Sequence, residues 1–200
     1  MLTQDIARTT QGLTDTLLNF EYEAKLTYDQ IVKPRWNQEP WSNRLPDVLH
    51  ACVMWCFARI DLLAQLWKGE RKKRGDQSRW IVDFIEHYMG HSRVTVSMAV
   101  HMWRHNMMHT GDPREPCDIQ KNISLRWLLH WGETEMGRSG HFVLAGTQTK
   151  RIICLTLFHL IEDLKEAQRK YFLELCGSFD LMQKFKEADK RIHEVNLHTF

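Results

Sequence analysis

The chain has 200 residues, with 27 basic and 25 acidic side chains, 43% hydrophobic content and 26% charged residues. These values describe an ordinary globular protein long enough for a substantial core, and they exclude a strongly basic surface built to wrap nucleic acid. Five cysteines without Cys-x-x-Cys spacing argue against a disulfide framework or zinc ribbon. The chain also lacks a leader-like amino terminus and an apolar run near the roughly 18 residues that span a bilayer, so a cytoplasmic protein without membrane contact is expected.

Residues 3–33 place Ile6, Leu13, Leu17, Tyr28 and Ile31 at three- and four-residue steps, which predicts one long amphipathic helix or two in succession, ended by Pro34. Residues 35–44 hold Trp36, Pro40 and Trp41 and read as a loop. From Leu45 to Gly69, Leu49, Val53, Phe57, Ile60, Leu63 and Leu66 predict a strongly apolar helix closed by Gly69. Asp61 stands out within it, because a carboxylate among such neighbours needs a partner if it is buried. Arg59 is two residues away and points to another side of the helix, whereas Arg104 is an attractive partner.

The stretch Glu70-Arg-Lys-Lys-Arg-Gly-Asp-Gln-Ser-Arg79 is a basic loop, which reads either as a solvated turn or as a track for a nucleic-acid backbone. A short helix is expected over 80–89, with Trp80, Phe84, Ile85 and Tyr88 inward, and another over 92–109. After Pro113 and Pro116, the apolar segments 123–131 and 141–145 suggest a small two-stranded excursion within 119–147. Helical spacing is expected to return from Thr149 to about Glu174, with Glu162, Asp163, Lys165, Glu166, Arg169 and Lys170 on its polar face. Gly177 interrupts, and a last amphipathic helix is expected from Phe179 to about Val195. The absence of repeats and composition breaks predicts a single, mostly helical domain over 1–200.

The densest collection of chemistry-bearing residues is Met102-Trp-Arg-His-Asn-Met-Met-His-Thr-Gly-Asp-Pro113. Arg104 offers a permanent charge and a planar fork of donors suited to phosphate, and His105 and His109 can exchange protons near neutral pH. The alternative is that they cap and pack a helix end. His101, His105 and His109 follow at four-residue steps, but three such positions on a straight helix span about 12 Å at 1.5 Å per residue, too far for one ion. No metal ligand set is therefore assigned. Nucleotide-binding glycine loops and hydrolase elbows are missing.

Arg104-His105-Asn106-Met-Met-His109 resembles the signature of HEPN-type helical domains: an Arg, a polar residue, and a His after a gap of four residues. Phe57-Ala-Arg-Ile-Asp-Leu-Leu-Ala64 with Gly69 is similar to the preceding core helix of that family, whose acid often faces the motif's Arg. The likeness covers about 45–116, with residues 149–195 compatible with the later helices. It implies an all-α bundle that often dimerises and, in active members, cuts RNA without a metal or other cofactor. Carried over, His109 is a general acid or base at the ribose 2′-hydroxyl and Arg104 holds the scissile phosphate. His105 supports the motif, and Asp61 orients Arg104. Asn106 and the loop residues Arg71, Lys72, Lys73 and Arg74 would bind substrate. The expected partners are RNA, a second copy of the chain, and an antitoxin or nucleotidyltransferase in a stress or phage-defence setting. Two other readings stand beside it: a non-catalytic helical dimerisation module, and a histidine-rich metal-binding bundle using His101 or His105.

Overall fold

The structure, a computed structural model, describes residues 4–36, 47–71, 73, 75–102, 117–118, 123–130 and 140–193. Seven helices lie among them: α1 (Gln4–Thr27), α2 (Lys33–Trp36), α3 (Asp47–Lys68), α4 (Asp76–Phe84), α5 (Arg93–Val100), α6 (Leu157–Gly177) and α7 (Phe179–His193). Four strands lie between α5 and α6: β1 (Cys117–Asp118), β2 (Ile123–His130), β3 (Val143–Gly146) and β4 (Lys150–Thr156). The chain is thus mostly helical, with a small mixed sheet.

Helix α3 is the axis. Its apolar residues recur at three- and four-residue steps, and Leu49, Val53, Phe57, Ile60, Leu63 and Leu66 are all buried against α4, α6 and α7. By length and average composition, Leu49–Lys68 could cross a membrane, although no uninterrupted apolar run suggested it. In the fold, 56% of that window is buried by the protein itself, as expected of a helix at the centre of a bundle. Gly69 ends α3 at φ +68°, its amide donating to the Gln65 carbonyl at 3.1 Å. A side chain there would meet Lys184 Cβ at 2.4 Å, so α7 crosses this turn at a distance only glycine permits.

The amino-terminal helix does not stop at Pro34. A π-helical turn, Tyr28–Val32, joins α1 to α2, and Pro34 is the second residue of α2. The helical backbone runs on through the π turn, with the Lys33 amide bonded to the Tyr28 carbonyl, so Pro34 lies within a continuous helical path. A second π turn, Ile85–Met89, extends α4 and is ended by Gly90 at φ +74°. Helix α4 starts four residues earlier than expected, because Gly75 at φ +88° turns the chain and Asp76 opens the first turn, so residues 76–79 are helix and not loop. Trp80, Phe84, Ile85 and Tyr88 all point inward, as their spacing predicts.

The sheet is larger than the expected two-stranded excursion. Its order is β1-β2-β4-β3, with β2 and β4 parallel and the other pairs antiparallel. Residues 150–156, expected to open a helix, are instead β4, flanked by β2 and β3. Ile152 and Leu155 satisfy a helical step, but Ile153, Cys154, Leu155 and Thr156 are buried in succession. Such continuous burial is the mark of a strand covered on both faces. The β3–β4 hairpin closes at Gly146, whose φ is +97°, and Thr147 bonds back to Lys150 through its amide (2.8 Å) and hydroxyl (3.0 Å). β4 ends at Thr156 and α6 begins at Leu157, with no residue between them.

Candidate functional site

Asp61 is half-buried on α3. Its carboxylate accepts hydrogen bonds from Gln65 Nε2 at 3.0 Å and from Gln77 Nε2 on α4. These amides help to fix its orientation. Arg59 points elsewhere, as expected: it is buried, donates to the Leu13 carbonyl of α1 and lies 5.8 Å from the Trp55 ring. Burial lowers its guanidinium pKa to about 10. In the basic loop, Arg71 and Lys73 are exposed, and the Lys73 amide donates to Asp76 at 2.9 Å. Arg104, His105, Asn106, His109, Lys72 and Arg74 lie outside the described residues. His101, the remaining member of the four-step histidine series, is exposed.

The described residues do bring together a different cluster, at the seam where the sheet meets the bundle. Gly90 stops the π turn and projects His91 toward α6. There His91 Nε2 lies 2.6 Å from Asp163 Oδ2. His141, just before β3, reaches the same oxygen, with Nε2 at 3.4 Å. The ligand-capable atoms of His91, His141 and Asp163 all lie within 4.8 Å of one another. Asp163 is 3% exposed, His141 1% and His91 18% by side chain, so His91 is the most water-accessible of the three.

The backbone around His141 is built to hold it. Phe142 has φ +51° without being glycine, a conformation that costs on the order of 1 kcal/mol and persists only where its surroundings enforce it. Its ring packs 4.4 Å from His91 and 4.7 Å from His141, centroid to centroid. The Thr156 amide donates to His141 Nδ1 at 3.1 Å, and Thr156 Oγ1 lies 3.0 Å from the same nitrogen. A backbone N–H can only donate, so Nδ1 carries the lone pair and the proton of neutral His141 is assigned to Nε2. That buried Nε2 makes no hydrogen bond of its own.

The electrostatics follow from this arrangement. Burial lowers the His141 pKa by penalising the imidazolium, and the neighbouring Asp163 only partly offsets the effect. For Asp163, burial acts to raise the pKa, but the histidines on both sides outweigh it and hold the carboxyl well below the usual carboxylate range. The cluster is therefore an ionised, almost fully enclosed carboxylate between two imidazoles. Chemically, such a set can hold a divalent transition-metal ion or orient His91 for proton transfer.

No local sequence motif marks this group, and Asp163 departs from its expected place on the polar face of its helix: it shares the buried face of α6 with Leu160, Ile161, Leu164 and Ala167. The available signal was an acid falling at three- and four-residue steps from leucine and alanine in a histidine-rich chain. Compared with known proteins, the chain matches no family model, and no curated protein and no solved structure is detectably similar to it.

Proposed function

We propose that the chain is a metal-independent endoribonuclease of the HEPN type, acting as a homodimer. In this reading, Arg104 holds the scissile phosphate and His109 exchanges the proton of the 2′-hydroxyl. His105 and Asn106 support the motif, and Asp61 orients Arg104. The basic residues 71–74 lie along the RNA backbone. The setting is cytoplasmic stress or phage defence, with an antitoxin or nucleotidyltransferase as partner.

One observation carries the proposal. An acid-bearing core helix, α3, is followed by α4 and by α5, whose buried last residue Val100, with buried Met102 just after it, leads in sequence directly into Arg104-His-Asn-Met-Met-His109. The side chain of Asp61, held from two sides by glutamine amides, supports it as a fixed negative charge. The 2′-hydroxyl of RNA supplies the nucleophile, so the chemistry requires only positioned donors and a proton acceptor.

The test is cleavage of mixed structured and single-stranded RNA in the presence of chelator. Wild type is expected to give products ending in cyclic phosphate, and Arg104→Ala/His109→Ala to give none. Equal cleavage by both, or none by folded wild type, sinks the proposal.

One feature favours the second reading, an interaction module. A groove of about 600 Å³ runs between α1 and α6, lined by Leu17, Leu18, Phe172 and Leu173 with Lys165 and Arg169 at its edge. Leu18 is 49% and Leu173 58% exposed, an apolar pair of the kind that partner surfaces cover. Inactive wild type whose self-association is lost in Leu18→Glu/Leu173→Glu would establish this reading instead.

A further inference from the structure

We infer that His91, His141 and Asp163 form a binding site for a divalent transition-metal ion, zinc above others, which pins the sheet to the helical bundle. The site is separate from the Arg104–His109 motif and does not depend on the ribonuclease reading.

Three features carry the inference. The donor set is two imidazoles and one carboxylate, a combination that suits zinc and its neighbours, whereas magnesium and calcium prefer oxygen alone. The spacing is also right. Ligand atoms about 2.0–2.2 Å from a tetrahedral ion lie roughly 3.4 Å apart. The His141–Asp163 contact, 3.4 Å, matches that separation, the His91–Asp163 contact, 2.6 Å, is a hydrogen bond that has to open by about 0.8 Å to admit an ion, and no pair exceeds 4.8 Å. Finally, His141 Nε2 is buried and makes no hydrogen bond, yet faces the ionised carboxylate. A buried polar atom of this kind, aimed into a cluster of donors, is accounted for by a ligand.

The three donors come from three separate parts of the chain: the turn between α4 and α5, the turn before β3, and the second turn of α6. An ion held by all three joins elements that otherwise meet along a narrow seam. Asp163 is already ionised and contributes its charge without losing a proton. Both histidines must free Nε2 for the metal: His91 Nε2, which donates to the Asp163 carboxylate, gives its proton up to Nδ1 or to solvent, and in His141 the proton moves from Nε2 to Nδ1. That proton is then donated to Thr156 Oγ1, and the Thr156 amide loses its acceptor. Thr156 therefore acts as a positioning residue that sets how readily His141 becomes a ligand.

The experiment uses the full chain, stripped with chelator and titrated with Zn²⁺ alone and with Co²⁺ alone. Calorimetry is read for zinc and visible absorption for cobalt. One equivalent of ion per chain is expected, with the spectrum of nitrogen- and oxygen-bound cobalt and a rise in Tm on loading. Asp163→Asn and His91→Gln should abolish the stoichiometric step, and His101→Gln should keep it. Because Asp163→Asn removes a buried charge and can unfold the chain, Thr156→Val is measured as well. Its backbone amide is unchanged, and loss of the hydroxyl acceptor should weaken binding by about 10–100-fold. No binding by wild type, or binding unchanged in Asp163→Asn and Thr156→Val, overturns the inference.

Discussion

Two regions of this molecule bury their side chains by different means. Around α3, burial is almost wholly apolar: Phe57, Ile60 and Leu63 are at most 1% exposed and touch other hydrocarbon from α4, α6 and α7. At the seam between sheet and bundle, nearly the same depth is reached by the Asp163 carboxylate and His141, with His91 partly exposed beside them. Apolar packing is non-directional and tolerates changes that preserve volume. A buried charge is directional, since its desolvation is offset only while each partner remains in place. The bundle should therefore respond to substitution in proportion to volume removed, and the seam in an all-or-none way.

The largest effect should come from the axis helix. Phe57→Ala is expected to cost about 3–5 kcal/mol through lost transfer energy and a residual cavity, read from the midpoint of denaturant unfolding. A cost below about 1 kcal/mol would remove α3 from the centre of the stability argument.

At the seam, Asp163→Ala should cost about 3 kcal/mol, because it strands two imidazoles. The contrast is sharpened by replacing all three members with Phe, Phe and Leu at 91, 141 and 163. Exchange of a buried ionic group for apolar side chains of similar volume is often neutral or stabilising. A triple variant as stable as wild type, beside a crippled Asp163→Ala, would show directional cost without net benefit. A triple variant as damaged as the single one would mean that this seam cannot be packed with hydrocarbon.

The smallest effect belongs to the half-exposed ion pairs that stitch the helices from outside. Burial raises the Asp83 pKa, but Arg93 at 2.9 Å and Lys68 at 3.2 Å outweigh it and bring the net value below the ordinary one. Glu21 behaves alike, with Lys165 at 2.6 Å and Lys25 at 2.9 Å opposing its burial. A depressed carboxylate contributes stability at all pH values above its unfolded pKa, near 4, and that contribution disappears as pH falls through the lower folded value. Tm measured against pH should thus drop below about pH 4, with a shallower acid limb in Asp83→Asn. At neutral pH that variant should lose less than about 1 kcal/mol.

The same contrast explains what the sequence made legible. Periodic apolar residues disclosed α3, α4, α6 and α7, because a helix that buries one face must repeat its hydrophobic positions. β4 was hidden by its own burial: Ile152-Ile-Cys-Leu155 is apolar on both faces and has no alternation to betray a strand. Asp163 was hidden for a related reason. Local patterning assigns an acid to the wet side of a helix, and only the approach of His91 and His141, 72 and 22 residues away in sequence, gives it a dry place to sit. The Arg104–His109 block was conspicuous by composition, but the described residues of the fold do not include it.

The junction at Thr156–Leu157 has a further consequence. Because β4 passes into α6 without a spacer, the strand's register sets the rotational phase of the helix. Removing one residue at the junction would turn α6 by about 100° relative to the sheet. Asp163 would swing away from both histidines and a neighbouring side chain would face them. Sheet and helix are geared together at this point, and length variation between 150 and 163 is the change this architecture is least able to absorb.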